Sequence, residues 1–160
     1  MSQQNPILTL SLYWGVRDKR SVEAYKENLL GVRKAVPELL HVFENNDIHA
    51  TWATVGFLFF KSFEELKENL PESLPEYSKA NLSPYKQMEE LAEIDPVYLF
   101  APDLIERINK TPGQEIATHT FSHYYCLESG QTSDDFYHDL KAAKNIAAQK
   151  LNHYTANCPH

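Results

Sequence analysis

The 160-residue chain has no excess of basic residues, because its 15 lysines and arginines are outnumbered by 22 aspartates and glutamates. Its formal charge at pH 7 is −7. Non-specific binding of DNA or RNA, and polybasic binding to anionic membranes, both need a positively charged surface. We therefore expect neither a nucleic acid nor a membrane as partner, whereas a neutral substrate is compatible with this charge.

The sequence also has no long hydrophobic run and no start typical of a signal peptide. The segment Met1 to Pro6 is polar without lysine or arginine, and the most apolar stretch, Ala50 to Phe60, is too short to cross a bilayer. The two cysteines, Cys126 and Cys158, form no CxxC motif, and we expect free thiols that fill packing space. These features favour a cytoplasmic protein.

Three short apolar segments predict buried strands. They are Ile7 to Leu12, Ala50 to Val55 and Gln114 to Thr118. Helical patterns separate them, and such alternation predicts parallel strands joined by right-handed crossovers. We expect an α/β fold with about three parallel strands and flanking helices, in a single domain over residues 1–160.

Helix signals begin after the first strand. Ser21 is a good N-cap for a helix that runs to about residues 44–47, and Pro37 inside it predicts a kink or two shorter helices. Ser62 and Glu65 have the spacing of a capping box, which predicts a short helix to Leu70.

The second half of the chain holds a long irregular connection and two further helices. Residues 71–96 contain four prolines and one predicted helical turn near residues 87–92. A helix from Pro102 to about Asn109 follows, and a last helix is capped by Thr132 or Ser133. The predicted apolar face of that last helix carries Phe136, Leu140, Ala143 and Ala147, and its predicted exposed face carries Asp134, Asp135 and Asp139.

The most informative motif is His119-Thr120-Phe121-Ser122-His123, directly after the third strand. Functional sites gather at the carboxyl ends of parallel strands, and imidazoles four residues apart can converge on one metal ion if the segment turns. The motif lacks the glutamate of H-E-x-x-H metalloproteases. The spacing by itself leaves metal binding and a structural role both open.

The segment from Glu115 to His123 resembles the H-[ST]-x-x-H motif that follows a buried strand in the polysaccharide deacetylase family. Residues 50–56 (ATWATVG) resemble that family's second strand, and Ile7 to Leu12 resembles the strand before its first motif. The resemblance implies a partial, distorted (β/α) barrel. It also implies a divalent metal, usually zinc, bound by His119 and His123, and removal of N-acetyl or O-acetyl groups from a carbohydrate substrate.

The sequence departs from the family where the first acidic motif is expected. Residues 11–15 (SLYWG) contain no carboxylate, although this motif supplies the base and the third metal ligand in the family. Asp18 is the nearest acid, and it either substitutes for them or is a solvated loop charge. We therefore expect a weakly held metal and impaired catalysis.

The family's later arginine and histidine motifs are also absent before His160. This indicates an apparently incomplete domain. His153 and His160 are expected to lie in a solvated tail rather than to bind metal. An open sheet of three strands also predicts marginal stability.

Aromatic residues near the motifs are candidates for stacking on sugar rings. Trp14, at a strand exit, and Tyr124, next to His123, are the predicted substrate-binding residues, and Tyr125 is a further candidate. Two other functions stay open: an inactive sugar-binding or regulatory module of the same fold, and an unrelated α/β protein with an incidental histidine pair.

Overall fold

The protein is described by a computed structural model that covers residues 5–151. Within these residues, three parallel strands form one sheet in the order β1 (Ile7–Leu10), β2 (Ala50–Thr54) and β3 (Gln114–Thr118). The register pairs Leu10 with Thr54 and Thr54 with Thr118, so the three carboxyl ends lie side by side. The predicted three parallel strands with flanking helices are confirmed.

The described residues form five α-helices: α1 (Val22–Asn45), α2 (Phe63–Lys67), α3 (Met88–Ala92), α4 (Pro102–Lys110) and α5 (Ser133–Lys150). Helix α1 begins where predicted, because the Ser21 hydroxyl accepts a hydrogen bond from the Ala24 amide. It continues through Pro37, so the prediction of two shorter helices is wrong. Long helices tolerate a proline when packing along their length offsets the missing hydrogen bond.

Strand β1 is shorter than predicted. It ends at Leu10, and residues Leu12–Gly15 form a 3₁₀ turn whose first residue has a φ of +47°. Because this turn directs Tyr13 and Trp14 inward, both side chains are buried.

Helix α2 is also shorter than predicted, and its capping box is incomplete. The Ser62 hydroxyl accepts a hydrogen bond from the Glu65 amide, at 3.3 Å. The Glu65 carboxylate, however, accepts from the Lys61 amide, at 2.8 Å, instead of from that of Ser62.

The hydrophobic residues 55–60 after β2 form the centre of the core, and all six are buried. Their backbone continues the pairing of the sheet beyond its strands. The Gly56 amide donates to the Thr120 carbonyl and the Phe57 amide donates to the Phe121 carbonyl, each at 2.9 Å. The loop that follows β3 is therefore fixed against the loop that follows β2.

The buried face of α5 differs from the predicted one. Thr132 caps the helix in a reciprocal box with Asp135, and the buried side chains are those of Asp135, Asp139, Ala143 and Ile146. The prediction that Asp135 and Asp139 lie on the exposed face is wrong, because both side chains are buried and their carboxylates accept backbone hydrogen bonds.

Cys126 is exposed, so its predicted role as packing filler is wrong. Cys158, His153 and His160 lie outside the described residues. No helix within residues 5–151 has a stretch both long and apolar enough to cross a membrane. The cytoplasmic location and the extent of the domain stay predictions.

Candidate metal centre

The structure brings His119 and His123 together at the carboxyl end of the sheet. His119 directly follows β3, and its amide donates to the Thr54 carbonyl of β2 at 2.9 Å. The centroids of the two imidazole rings lie 5.1 Å apart, with 66° between the ring planes. Both side chains are half-buried. The motif therefore forms a compact pair of imidazoles beside the strand ends.

The pair converges because the backbone between the two histidines turns sharply. Thr120 and His123 have φ values of +63° and +57°, a left-handed conformation that non-glycine residues rarely adopt. The Thr120 hydroxyl stabilises the turn by donating to the His119 carbonyl, at 2.6 Å, and accepting from the Tyr124 amide, at 2.8 Å. A β-branched residue at positive φ is strained, and these two bonds offset that strain.

Burial lowers the pKa of both imidazoles. At His123 the neighbouring His119 lowers the pKa further, whereas the negative charge of Asp18 opposes the shift. Both rings are therefore neutral near pH 7, which is the protonation state that binds a metal ion. The Nδ1 atom of His123 is also buried without a hydrogen-bond partner in the described part of the chain.

These properties fit two positions of a metal site. An unpartnered buried nitrogen costs free energy, and a cation is one group that satisfies it. However, residues 5–151 contain no group of three or more His, Cys, Asp or Glu side chains placed to hold a metal ion. Stable zinc sites take three or four protein ligands. The described residues thus provide two histidine ligands for a metal ion, but no third ligand among them lies close to the pair.

Asp18 lies close enough to His123 and Tyr125 for its charge to affect the pKa of both. The neighbouring Arg17 is hydrogen-bonded to the segment that precedes α3. Its guanidinium donates to the Asn81 carbonyl at 2.7 Å, to the Gln87 side chain at 2.8 Å and also to the Leu82 carbonyl. Arg17 therefore holds part of the 71–96 connection near the histidines. Asp18, the next residue, is an acidic side chain in the same region.

Trp14 does not have the surroundings of a sugar-stacking residue. It is 1% exposed, and its indole nitrogen donates to the Leu99 carbonyl at 2.6 Å. The ring packs edge-on against Phe57, with 4.7 Å between centroids, and lies within 6.5 Å of Phe63 and Phe100. The prediction that Trp14 contacts substrate is therefore corrected: the side chain is part of the core and its faces are covered.

Tyr124 is likewise buried, and its hydroxyl donates to the Gln131 side chain at 2.9 Å. Its neighbour Tyr125, the further candidate for substrate binding, lies beside the histidine pair. The Tyr125 ring lies 5.8 Å from the His123 ring and is only half-buried. Burial raises the pKa of Tyr125 to about 12, so its hydroxyl stays neutral at physiological pH. Tyr125 is therefore the aromatic residue that lies beside the histidine pair.

Asp139 is the residue of this region that the sequence analysis missed. Its carboxylate accepts hydrogen bonds from the backbone between the two histidines. A signal was present in the sequence: Asp135 and Asp139 share the helical spacing of the apolar residues Ala143 and Ile146. Acids on an apolar helix face indicate buried carboxylates with partners elsewhere in the fold.

A family model described as polysaccharide deacetylase matches residues 28–157 of the chain. The match includes β2, β3 and both histidines, and it begins after β1, Trp14 and Asp18. No curated protein and no solved structure matches the chain.

Proposed function

Because this chain belongs to the polysaccharide deacetylase family, we propose that it is a metal-dependent hydrolase of acetylated sugars, with low activity in this chain. Members of the family act on carbohydrates and generally use a divalent metal. The proposed metal ligands are His119 and His123. The observation that carries the proposal is the convergence of two neutral, half-buried imidazoles at the carboxyl ends of the strands.

A divalent metal at this pair would polarise the acetyl carbonyl and acidify a water molecule, which is what amide hydrolysis needs at neutral pH. Zinc is the metal we propose, since imidazole nitrogen suits it well. The chain itself contributes the two nitrogen donors, held by the loop between them. Tyr125 contributes an apolar ring beside His123, suited to one face of a sugar.

Low activity follows from the groups at the end of β1. The turn at residues 12–15 places Tyr13 and Trp14 in the core, and no carboxylate stands there to take a proton from water. Loss of a general base typically slows a reaction by about 10²- to 10⁴-fold. Asp18, whose charge acts on His123, is the acid best placed to replace it in part.

The test is acetate release from acetylated chito-oligosaccharides, with and without added zinc. We expect slow, zinc-dependent release that disappears in a His119→Ala, His123→Ala double variant. His41→Ala is the matched control, because His41 is exposed on α1 and its side chain is hydrogen-bonded to its helix neighbour Asn45, far along the chain from the histidine loop. Zinc-dependent release that persists in the double variant would exclude these histidines as the ligands.

The second candidate function is an inactive sugar-binding module of the same fold, which the absence of both acids from the turn after β1 favours. A module of this kind binds sugar without hydrolysing it. Calorimetric binding of the same oligosaccharides, with no acetate released at any zinc concentration, would support this alternative. Zinc-dependent release would exclude it.

A further inference from the structure

Asp139 is a buried carboxylate that the proposed chemistry does not use. It is 1% exposed and lies on the inner face of α5. Within residues 5–151 no lysine, arginine or histidine forms an ion pair with it, and burial raises its pKa. A carboxylate buried without a counter-charge is costly, so its hydrogen-bond donors have to offset that cost.

Among the described residues, 5–151, all hydrogen-bond donors to Asp139 come from the loop between His119 and His123. The Phe121 amide donates to Oδ2 at 2.6 Å, and the Ser122 amide and hydroxyl donate to Oδ1 at 3.2 and 2.5 Å. One side chain thus accepts three hydrogen bonds from two consecutive residues. A carboxylate is suited to this task because both of its oxygens only accept, whereas an amide of the same shape has a single accepting oxygen.

The same loop is held on its other side by the backbone after β2. There the Thr120 and Phe121 carbonyls accept from the Gly56 and Phe57 amides. The segment after β2 therefore donates hydrogen bonds to carbonyls of the loop, and Asp139 on α5 accepts hydrogen bonds from its amides. This double attachment fixes the turn whose left-handed residues, Thr120 and His123, bring the two rings together.

We propose that Asp139 is a positioning residue: its carboxylate holds the 120–122 backbone in the shape that sets the separation of the His119 and His123 rings. The affinity of the pair for a divalent cation then depends on a side chain that touches neither ring. The predicted effect on cation affinity rests on the proposed function, whereas the predicted effect on the separation of the rings does not.

The test compares Asp139→Asn with Asp135→Asn in the full chain. Asp135 is the matched control, because it is also buried on α5 but binds Ser73 and Thr132 rather than the histidine loop. Two quantities are measured: zinc affinity by competition with a chelating dye, and nuclear Overhauser contacts between the two imidazoles in the metal-free protein. Circular dichroism confirms that each variant is folded.

We expect Asp139→Asn to weaken zinc binding by about 10- to 100-fold, the range for groups that orient metal ligands. It should also remove the contacts between the rings. Asp135→Asn should leave both quantities unchanged while lowering the melting temperature. A folded Asp139→Asn protein with wild-type zinc affinity and unchanged ring contacts would overturn the proposal.

A further variant separates this inference from the proposed function. If Asp139→Asn does not fold, Ser122→Ala takes its place, because it removes one of the three hydrogen bonds to Asp139. The proposal then requires a several-fold loss of zinc affinity and weaker contacts between the imidazole rings. If the wild-type chain binds no zinc, the proposed metal function fails, and the ring contacts alone decide whether Asp139 positions the histidines.

Discussion

The Cα atom of Phe121 lies 2.8 Å from the position that a Cβ atom on Gly56 would occupy, and the Phe121 carbonyl oxygen lies 3.1 Å from it. Both are backbone atoms, which cannot rotate away. We therefore predict that Gly56→Ala pushes the histidine loop off the loop after β2 and lowers the free energy of unfolding by about 1–3 kcal/mol. Urea denaturation measures this change.

Gly31→Ala is the matched control for that prediction. Gly31 lies within α1, and a Cβ atom there would meet nothing within 4 Å. Alanine is the better helix former, so this variant should be more stable than the wild type by about 0.5–1 kcal/mol. If both variants lose stability equally, the close contact with Phe121 is not the cause.

Asp135 and Asp139 should have opposite effects on the pH dependence of stability. Burial raises the pKa of Asp139 above 3.8. At Asp135 burial acts in the same direction, but hydrogen bonds from Ser73 and Thr132 outweigh it and lower the pKa. A folded chain that binds more protons than the unfolded chain loses stability as the pH rises, and one that binds fewer loses stability as the pH falls.

The stability difference between wild type and Asp139→Asn should therefore decrease as the pH rises above 3.8. The difference between wild type and Asp135→Asn should decrease as the pH falls below 3.8. Urea denaturation at a series of pH values measures both slopes. Two slopes of the same sign would contradict the opposite pKa shifts, in which burial dominates at Asp139 and hydrogen bonds dominate at Asp135.

The Thr120 hydroxyl should contribute measurably to the histidine turn. Thr120→Val keeps the shape of the side chain but removes both hydrogen bonds, so the Tyr124 amide loses its partner. We expect a loss of about 1–3 kcal/mol in the free energy of unfolding. Thr120→Ser keeps the hydroxyl and should lie much closer to the wild type. A Thr120→Val variant as stable as the wild type would contradict a role for the hydroxyl in the turn.

Trp14 should matter for stability and not for sugar binding. Trp14→Phe leaves the buried Leu99 carbonyl without its donor, which should cost about 1–3 kcal/mol. Its affinity for acetylated chito-oligosaccharides, measured by calorimetry below the melting temperature, should equal that of the wild type.

Tyr125→Ala serves as the comparison, because its ring lies beside His123. This variant should bind the oligosaccharides more weakly and lose less stability than Trp14→Phe. A selective loss of sugar affinity in Trp14→Phe would restore its predicted role in substrate binding.

The sequence by itself determined the local elements and the order in which they occur. Strand β3 has the predicted bounds, α5 begins at the predicted Thr132 cap, and His119 and His123 follow a strand end as predicted. These features could be predicted because hydrophobic period, capping side chains and ligand spacing all act between residues close in the chain.

Only the tertiary structure decided which polar and aromatic side chains are buried. Asp139 turns inward because amides 17 and 18 residues away donate hydrogen bonds to it. Trp14 is buried where the carbonyl of Leu99, 85 residues away, accepts a hydrogen bond from its indole nitrogen. Tyr125 packs beside His123, whereas Tyr124 packs against Phe136 of the distant α5. A sequence pattern carries the period of each element, but the partners that make the burial of a polar group favourable come from distant segments.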